Sequence, residues 1–322
     1  MTDQPPRPAN VSELLRDSPS NWGRWGPDDE VGALNFLTPQ VVLSALGAVR
    51  QGRVLTLQMP MADPAGDPVF PGRVPAQRFM VLDKSHYLVG RGPHFPGDVE
   101  YADDAMFCFL QGSTQYDAPG HAWYDDRIWN GYDALTTVGG LAKASILPTA
   151  ERGIVGRGVL LDVARHRGYE RMAPGELIDL HDLVACAAAQ GTELRPNDIL
   201  LIRTGWLGRY AEVGQAEFFG DLREPGLRYS PELVDWFHEM EIPNLITDTF
   251  ANETNADPDT GFIMTLHGAL MRNLGVSMTE MAALDALGAD CAADGQYDFL
   301  YVAAPLKVVR GAGAPVNPVV VK

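Results

Sequence analysis

Apolar and polar stretches along the chain predict strands and helices that follow one another in turn. Short runs rich in Val, Ile and Leu predict β-strands, and apolar residues spaced three or four positions apart predict helices. The predicted strands cover residues 54–57, 78–83, 153–163, 199–202, 244–247, 299–302, 307–309 and 319–321. The predicted helices cover residues 39–51, 180–190, 230–240 and 281–293. Strands that alternate with helices in this way predict an α/β architecture.

A short polar segment, residues 111–121, directly follows an apolar run at residues 105–110. The apolar run predicts a buried strand. Because side chains of an extended segment alternate between its faces, four polar groups would then point the same way, namely Gln111, Ser113, Gln115 and Asp117. Pro119 and the glycine after it would end the strand before His121. Polar groups at a buried strand end are costly when unpaired, so a binding site and a self-satisfied polar turn are both open interpretations.

This segment resembles the signature of the cyclase-like metal hydrolases, whose relatives include bacterial kynurenine formamidase, isatin hydrolase and trans-dienelactone hydrolase. The signature reads His-x-Gly-Thr-His-x-Asp-x-Pro-x-His. Four of its positions are matched here, by Thr114, Asp117, Pro119 and His121. Gln111 and Gln115 stand at the first two histidine positions, and Ser113 replaces the glycine. The resemblance extends from about residue 21 to the C-terminus and includes a distant His267 and Glu280 pair.

The resemblance implies a swivelling β/β/α fold, in which helices surround a central mixed, barrel-like sheet. It also implies a homodimeric or homotetrameric hydrolase that acts on a small-molecule amide, imide or lactone with a divalent metal, manganese or zinc. His121 would be the general acid/base, and Asp117 a metal ligand or an orienting group. The other metal ligands would be Gln111, Gln115, His267 and Glu280. The substrate would contact Gln111, Thr114, Gln115, Trp123 and Tyr124.

The two glutamines decide how much of that chemistry is retained. An imidazole nitrogen binds zinc strongly, whereas a glutamine offers a neutral amide oxygen. Replacement of two imidazoles by amides shifts the preference toward a harder ion such as manganese or magnesium, or removes the metal. Three functions stay open: a metal-assisted hydrolase, a metal-independent cyclase, lyase or isomerase that uses Asp117 and His121, and a non-catalytic small-molecule-binding protein.

Several other candidate residues also have ordinary structural explanations. Trp22 and Trp25 lie on a glycine-punctuated loop and would cover the site, a neighbouring subunit or the core. Arg203 could meet a substrate carboxylate. Glu280 could instead stabilise the start of a helix at residues 281–293, because an acidic side chain is favoured at a helix N-terminus.

Composition narrows the class of protein. The chain has 322 residues, of which 46% are hydrophobic and 21% charged, as is typical of a globular protein. We expect a single domain over residues 1–322, with residues 1–20 as an extended N-terminal arm. The net charge of −17, from 25 basic and 42 acidic side chains, disfavours nucleic acid and anionic membranes as partners.

Cysteine usage and hydropathy indicate the compartment. The three cysteines lie far apart without a Cys-x-x-Cys pair, which predicts buried free thiols in a reducing environment. No apolar run approaches the roughly 20 residues that a membrane span requires. The first residues also lack the apolar core of a signal peptide. These features predict a cytoplasmic protein whose partner is a small-molecule substrate.

Overall fold

The structure is a computed structural model that describes residues 7–64, 66–220 and 222–322. Its strands are β1 (Val54–Thr56), β2 (Gln77–Leu82), β3 (Asp103–Phe107), β4 (Gln115–Asp117), β5 (Ile154–Asp162), β6 (Leu177–Ile178), β7 (Ile199–Arg203), β8 (Gly226–Leu227), β9 (Asn244–Thr247), β10 (Ser277–Glu280), β11 (Asp298–Ala303), β12 (Gly313–Pro315) and β13 (Val319–Val321). Its α-helices are α1 (Val11–Leu14), α2 (Pro39–Ala45), α3 (Lys84–Leu88), α4 (Ile146–Arg152), α5 (Val163–His166), α6 (Leu180–Ala189), α7 (Tyr210–Phe218), α8 (Pro231–Glu239) and α9 (Asp285–Asp294). A π-helix spans His267–Asn273.

Nine of the described strands form one sheet in the order β1-β13-β11-β5-β7-β9-β10-β4-β12. Its middle is parallel, since β5 pairs with β7, β7 with β9 and β9 with β10 in the same direction. Antiparallel strands continue it on both sides, with β11, β13 and β1 beyond β5 and with β4 and β12 beyond β10. The sheet is thus mixed and curls into a half-barrel with helices around it, which confirms the predicted fold.

Apolar side chains cover both faces of the middle of the sheet. Along β5, Val159 and Leu161 pack into one core cluster, and Leu160 between them packs into the other. Strands that are buried on both faces appear in sequence as continuous apolar runs, which is why such runs predict them. Burial of each such leucine side chain stabilises the fold by about 1.5–3 kcal/mol.

Three of the predicted helices begin where capping chemistry places them, and they are confirmed. Thr38 accepts a hydrogen bond from the backbone N–H of Val41, and Pro39 opens α2. Ser230 caps α8 in the same way, and Asp179 caps α6. The α-helical part of α2 ends at Ala45, and a 3₁₀ turn continues it.

The apolar run before the central motif is not a buried strand, so that prediction is wrong. The residues of β3 are all exposed, and β3 pairs with β2 in a two-stranded ribbon apart from the main sheet. Residues 110–114 then form turns and bends, and the strand of the motif is β4. Strand alternation therefore relates Gln115 and Asp117, whereas Gln111 and Ser113 lie outside the strand. An apolar run has the same sequence pattern whether a core covers it or not.

Two predictions near the C-terminus are also wrong. Residues 307–309 do not form a strand, and the strand of that region is β12. Glu280 does not start a helix: it ends β10, and α9 begins only at Asp285. Pairing of β10 with β4 and β9 takes up the backbone of residues 277–280. The other predicted strands, at residues 54–57, 78–83, 153–163, 199–202, 244–247, 299–302 and 319–321, are confirmed within a few residues.

The N-terminal segment packs on its own chain. Residues 1–6 of the expected arm lie outside the described residues, and α1 follows them. Trp22 donates its indole N–H to the backbone oxygen of Arg272 at 2.7 Å. Trp25 packs edge-on against Phe36, with 5.0 Å between the ring centroids. Both tryptophans therefore contact residues of their own chain.

The cysteines relate to the prediction of buried free thiols, and the helices to the prediction that the chain has no membrane span. All three cysteines are free; Cys186 and Cys291 are buried, whereas Cys108 is partly exposed. Across the parts of the chain that the structure describes, no helix has both the length and the apolarity to cross a membrane.

Candidate active site

Polar side chains from three parts of the fold meet beside β4 and β10. These strands are antiparallel neighbours, and Gln115 lies directly opposite Glu280. Because alternate residues of a strand share a face, Asp117 points to the same side as Gln115. The π-helix begins at His267, and the turn after β4 carries His121. The motif and the distant histidine–glutamate pair are therefore brought together by the sheet.

These groups lie within ion-pair distance of one another. Nε2 of His267 is 3.9 Å from Oδ2 of Asp117 and 3.4 Å from Oε1 of Glu280. Nε2 of His121 is 4.0 Å from Oδ1 of Asp117. Gln115 orients Glu280, because its Nε2 donates to Oε2 of that residue at 2.6 Å. Asp117, His267 and Glu280, here called the carboxylate–histidine group, each offer a ligand atom within 4.8 Å of the other two.

Asp117 is the least satisfied member of the carboxylate–histidine group. Its side chain is buried, and neither carboxylate oxygen has a hydrogen-bond partner among the described residues. Oε1 of Gln115 is buried and unpartnered in the same sense. A buried carboxylate is costly unless a cation or a bound molecule compensates its charge. These oxygens therefore mark where a ligand would bind.

Glu253 is a part of the site that the sequence analysis missed. Its Oε1 accepts hydrogen bonds from Nδ1 of His267 at 2.6 Å and from the backbone N–H of His267 at 2.9 Å. Its Oε2 accepts from the backbone N–H of Leu266 at 2.7 Å. This carboxylate fixes the imidazole with Nε2 directed at Asp117 and Glu280. In the sequence, Glu253 is recognisable only as an acidic residue in the polar loop that follows β9.

Burial and neighbouring charges shift the titration of the site. Burial alone would lower the pKa of His267, but hydrogen bonds and charges from Glu253 and Glu280 raise it well above its usual value. Burial, with the charge of Asp117, raises the pKa of Glu280 to about 7. Burial lowers the pKa of His121, and the charge of His267 lowers it further, against the opposing effect of Asp117. The lowered pKa of His121 therefore favours its neutral imidazole.

His121, His267 and Glu280 face a cavity of about 230 Å³. A mainly apolar cavity with a few convergent polar groups is the usual form of a small-molecule site. Arg73 also lines it. Arg203 is elsewhere, in ion pairs with Asp162 and Asp285, so it does not serve this cavity. The apolar lining consists of Phe70, Leu222, Phe250, Ala251, Ile263 and Met264.

The aromatic residues that follow the motif lie beside a neighbouring cavity. Trp123 and Tyr124 line this second cavity, which has a volume of about 290 Å³. His121, Ile263 and Met264 line both cavities, so the imidazole stands between them. The hydroxyl of Tyr124 donates to Oδ1 of Asn273 at 3.0 Å, which fixes the orientation of that ring.

Thr114 and Gln111 are held by neighbours outside the carboxylate–histidine group. The Thr114 hydroxyl donates to the backbone oxygen of Met281 at 2.7 Å and accepts from the backbone N–H of Met59 at 3.0 Å. Gln111 lies in a turn beside Gly313. A Cβ added at Gly313 would lie 2.7 Å from Nε2 of Gln111. Gln115 is therefore the motif glutamine that the structure brings to the carboxylate–histidine group.

The donor atoms of the site fit a divalent cation. The carboxylate–histidine group offers two carboxylates and one imidazole nitrogen, and Oε1 of Gln115 adds an unpartnered neutral oxygen. An oxygen-rich set suits manganese or magnesium better than zinc, which is usually held by nitrogen and sulfur. A second group of possible ligands, Asp179, His181 and Asp182, lies largely at the surface, where both carboxylates cap α6.

The half-barrel sheet and the carboxylate–histidine group define an α/β protein with a mainly apolar cavity beside three side chains that could hold a metal ion. The chain belongs to the cyclase family, whose Cyclase sequence model matches residues 35–254. The family expected from the motif is thereby confirmed. Among curated proteins, none matches the chain significantly.

Solved structures resemble this fold over most of its length. A crystal structure described as that of a novel cyclase is 35% identical, with a TM-score of 0.84, and the match covers 94% of this chain and 99% of that one. Isatin hydrolase A from Ralstonia solanacearum is 19% identical, with a TM-score of 0.57, covering 88% of this chain and 97% of that one. An isatin hydrolase bound to the product analogue thioisatinate is 18% identical, with a TM-score of 0.57, covering 88% and 98%. The likeness to both isatin hydrolases is one of fold alone.

Proposed function

We propose that the protein is a hydrolase that opens an amide, imide or lactone bond of a small molecule. The observation that carries the proposal is the convergence of Asp117, His121, His267 and Glu280 beside one apolar cavity. Buried titratable groups with displaced pKa values cluster at catalytic sites more than elsewhere. Membership of the cyclase family and the fold shared with isatin hydrolases support the same reaction class.

His121 is the proposed general acid/base. Its lowered pKa keeps the imidazole neutral near pH 7, so Nε2 can accept a proton from the attacking water. The same nitrogen then returns the proton to the leaving nitrogen or oxygen, which completes the hydrolysis. Asp117, at 4.0 Å, stabilises the imidazolium that exists between these two transfers.

His267 and Glu280 complete the cation site with Asp117, and Gln115 keeps Glu280 oriented. A divalent cation held there would supply Lewis-acid polarisation of the substrate carbonyl. Glu253 holds the His267 ring in the required tautomer. The apolar lining excludes water from the remainder of the cavity, which strengthens the electrostatic interactions inside it.

The test combines metal analysis with turnover. Protein purified without chelator is analysed for manganese, zinc and magnesium and then assayed by absorbance with isatin, a cyclic imide, a lactone and an N-formyl amide. We expect ring opening or deformylation of at least one compound. His121→Asn should lower turnover by about 10²–10⁴-fold, because general acid–base catalysis contributes that much. His166→Asn changes an exposed histidine and serves as the matched control.

The outcomes separate the three functions that the sequence leaves open. Turnover that disappears with chelator and returns with manganese supports the metal-assisted hydrolase. Turnover that survives complete removal of metal supports a metal-independent enzyme that uses Asp117 and His121. Equal turnover in folded His121→Asn and wild type contradicts the assigned role of His121. Tight binding of these compounds without turnover under any metal condition leaves the non-catalytic binding protein.

A further inference from the structure

Arg73 is the arginine that lines the cavity of about 230 Å³ beside His267 and Glu280. It lines the cavity together with His121 and Glu280 and is only partly exposed. Its Nη1 donates to the backbone oxygen of Gln111, and its guanidinium lies 5.6 Å from the centroid of the Phe70 ring. These contacts fix the direction of the side chain while using few of its five N–H donors.

No carboxylate in the described parts of the chain forms an ion pair with Arg73. Asp117 and Glu280 bind the other groups of the site instead. The guanidinium therefore lies beside a mainly apolar cavity with its charge unpaired and most of its donors unused by the described residues.

We propose that Arg73 binds a carboxylate that the substrate itself carries. The planar fork of a guanidinium matches a carboxylate in a two-point contact, and the cavity around it favours a flat apolar body. The substrate class is thus an aromatic or similarly apolar amide, imide or lactone with a free carboxylate. This inference rests on the proposed function for the scissile bond, but the anion site itself is defined by the cavity.

A neutral substrate would fit this arrangement less well. An apolar body that closes the cavity removes water from the guanidinium, and a charged donor left without a partner is expensive. A carboxylate on the substrate replaces the lost water and neutralises the charge. A site built to pair with a charged group rejects analogues that lack it, so Arg73 would act on specificity.

The competing explanation is that Arg73 only offsets the negative charge of Asp117 and Glu280. In that case, removal of Arg73 should change metal affinity and the free energy of unfolding, and the size of each change should be the same whichever ligand is present. A substrate-binding role instead alters the affinity for anions and leaves the affinity for neutral isosteres unchanged. Binding experiments distinguish the two, whether or not the protein turns over a given compound.

The experiment is calorimetric titration of the full chain with benzoate and with benzamide, its neutral isostere. Both the protein as purified and chelator-treated protein are used, because a metal ion could also bind benzoate. We expect benzoate to bind more tightly than benzamide in both forms. Arg73→Gln should weaken the affinity for benzoate by about 10- to 100-fold, as expected for loss of a charged hydrogen bond, and leave the affinity for benzamide unchanged. Arg73→Lys should restore part of the affinity difference between benzoate and benzamide. Arg91→Gln, which changes an exposed arginine, should leave that difference as it is in wild type.

Two results would overturn the inference. One is equal benzoate affinity in wild type and Arg73→Gln; the other is benzoate binding that needs the metal and is insensitive to Arg73. Arg73-dependent benzoate binding without hydrolysis of any compound supports the anion site and counts against the proposed hydrolase. Hydrolysis with equal kcat/KM for carboxylated and neutral substrates counts against the anion site alone.

Discussion

Replacement of Glu253 by Gln tests how the site is held together. The substitution keeps the size of the side chain and removes its charge. Glu253 does not belong to the carboxylate–histidine group, so an effect on that group acts through His267, which Glu253 both orients and influences by its charge. We expect the affinity for manganese to fall by about 10–100-fold, the usual effect of removing a partner that orients a metal ligand.

The expected loss of stability follows from the hydrogen bonds. Oε1 of Glu253 accepts two N–H groups of His267, at 2.6 and 2.9 Å, and Oε2 accepts the backbone N–H of Leu266 at 2.7 Å. A glutamine has one carbonyl oxygen, so at least one of these donors would face its amide NH₂ group. A hydrogen bond to a charged group contributes about 1.5–3 kcal/mol, so the free energy of unfolding should fall by at least that amount.

The assays are urea unfolding of metal-free protein and calorimetric titration with manganese. Glu193→Gln is the matched control, because Glu193 is 72% exposed in its pair with Arg195 and should change stability by at most about 0.5 kcal/mol. Unchanged stability and unchanged manganese affinity in Glu253→Gln would refute the reasoning. A loss of stability with unchanged manganese affinity would show that Glu253 supports the fold but does not orient His267.

Three further changes test other parts of the structure. Gly275 and Gly295 both have φ of +73°, but a Cβ at Gly275 would lie 2.7 Å from the Trp129 ring, whereas nothing lies within 4 Å at Gly295. Gly275→Ala should therefore destabilise by about 1–3 kcal/mol more than Gly295→Ala in urea unfolding, and equal losses would contradict this packing. Burial raises the pKa of Asp248 from 3.8 to about 6, so the stability that its protonated form contributes is lost as pH rises through that window. Relative to wild type, the free energy of unfolding of Asp248→Asn should rise by up to about 3 kcal/mol between pH 4 and pH 7. A stability difference between the two proteins that does not depend on pH would contradict the raised pKa. We also expect a homodimer or homotetramer in which a second copy covers the exposed β2–β3 ribbon, since such a ribbon is marginal alone. Phe79 on this ribbon is 54% exposed, so Phe79→Asp should lower the mass measured by light scattering, and an unchanged mass would exclude this surface.

The strands in the middle of the sheet could be predicted because burial on both faces gives them a recognisable local sequence, a continuous apolar run. Residues 199–202 are apolar throughout, since β7 is buried on both faces. The run at residues 105–110 has the same local pattern, yet it lies in and after the exposed β3. The difference between them depends on whether distant parts of the chain cover the segment. No window of the sequence contains that information.

The site was predictable only where a motif carried it. Asp117 and His121 follow from four matched positions, and His267 with Glu280 from the extended resemblance. The sequence also allowed a helix start at Glu280, because an acidic residue before an alanine-rich segment is favoured there. Pairing of β10 with β4 decides otherwise. Arg73 enters the cavity from a Pro- and Gly-rich loop, whose course depends on its tertiary contacts.

The two glutamines of the motif have different consequences in the folded chain. Gln111 lies against Gly313, whereas Gln115 donates to Glu280 at 2.6 Å and leaves its own Oε1 unpartnered. An imidazole at this position would bring a basic nitrogen; the amide brings a neutral oxygen and an N–H that orients a carboxylate. His267 then offers the imidazole nitrogen of the group, and Glu280 offers a second carboxyl group beside Asp117. With glutamines at the motif positions, we therefore expect any cation bound at this group to be an oxygen-preferring ion.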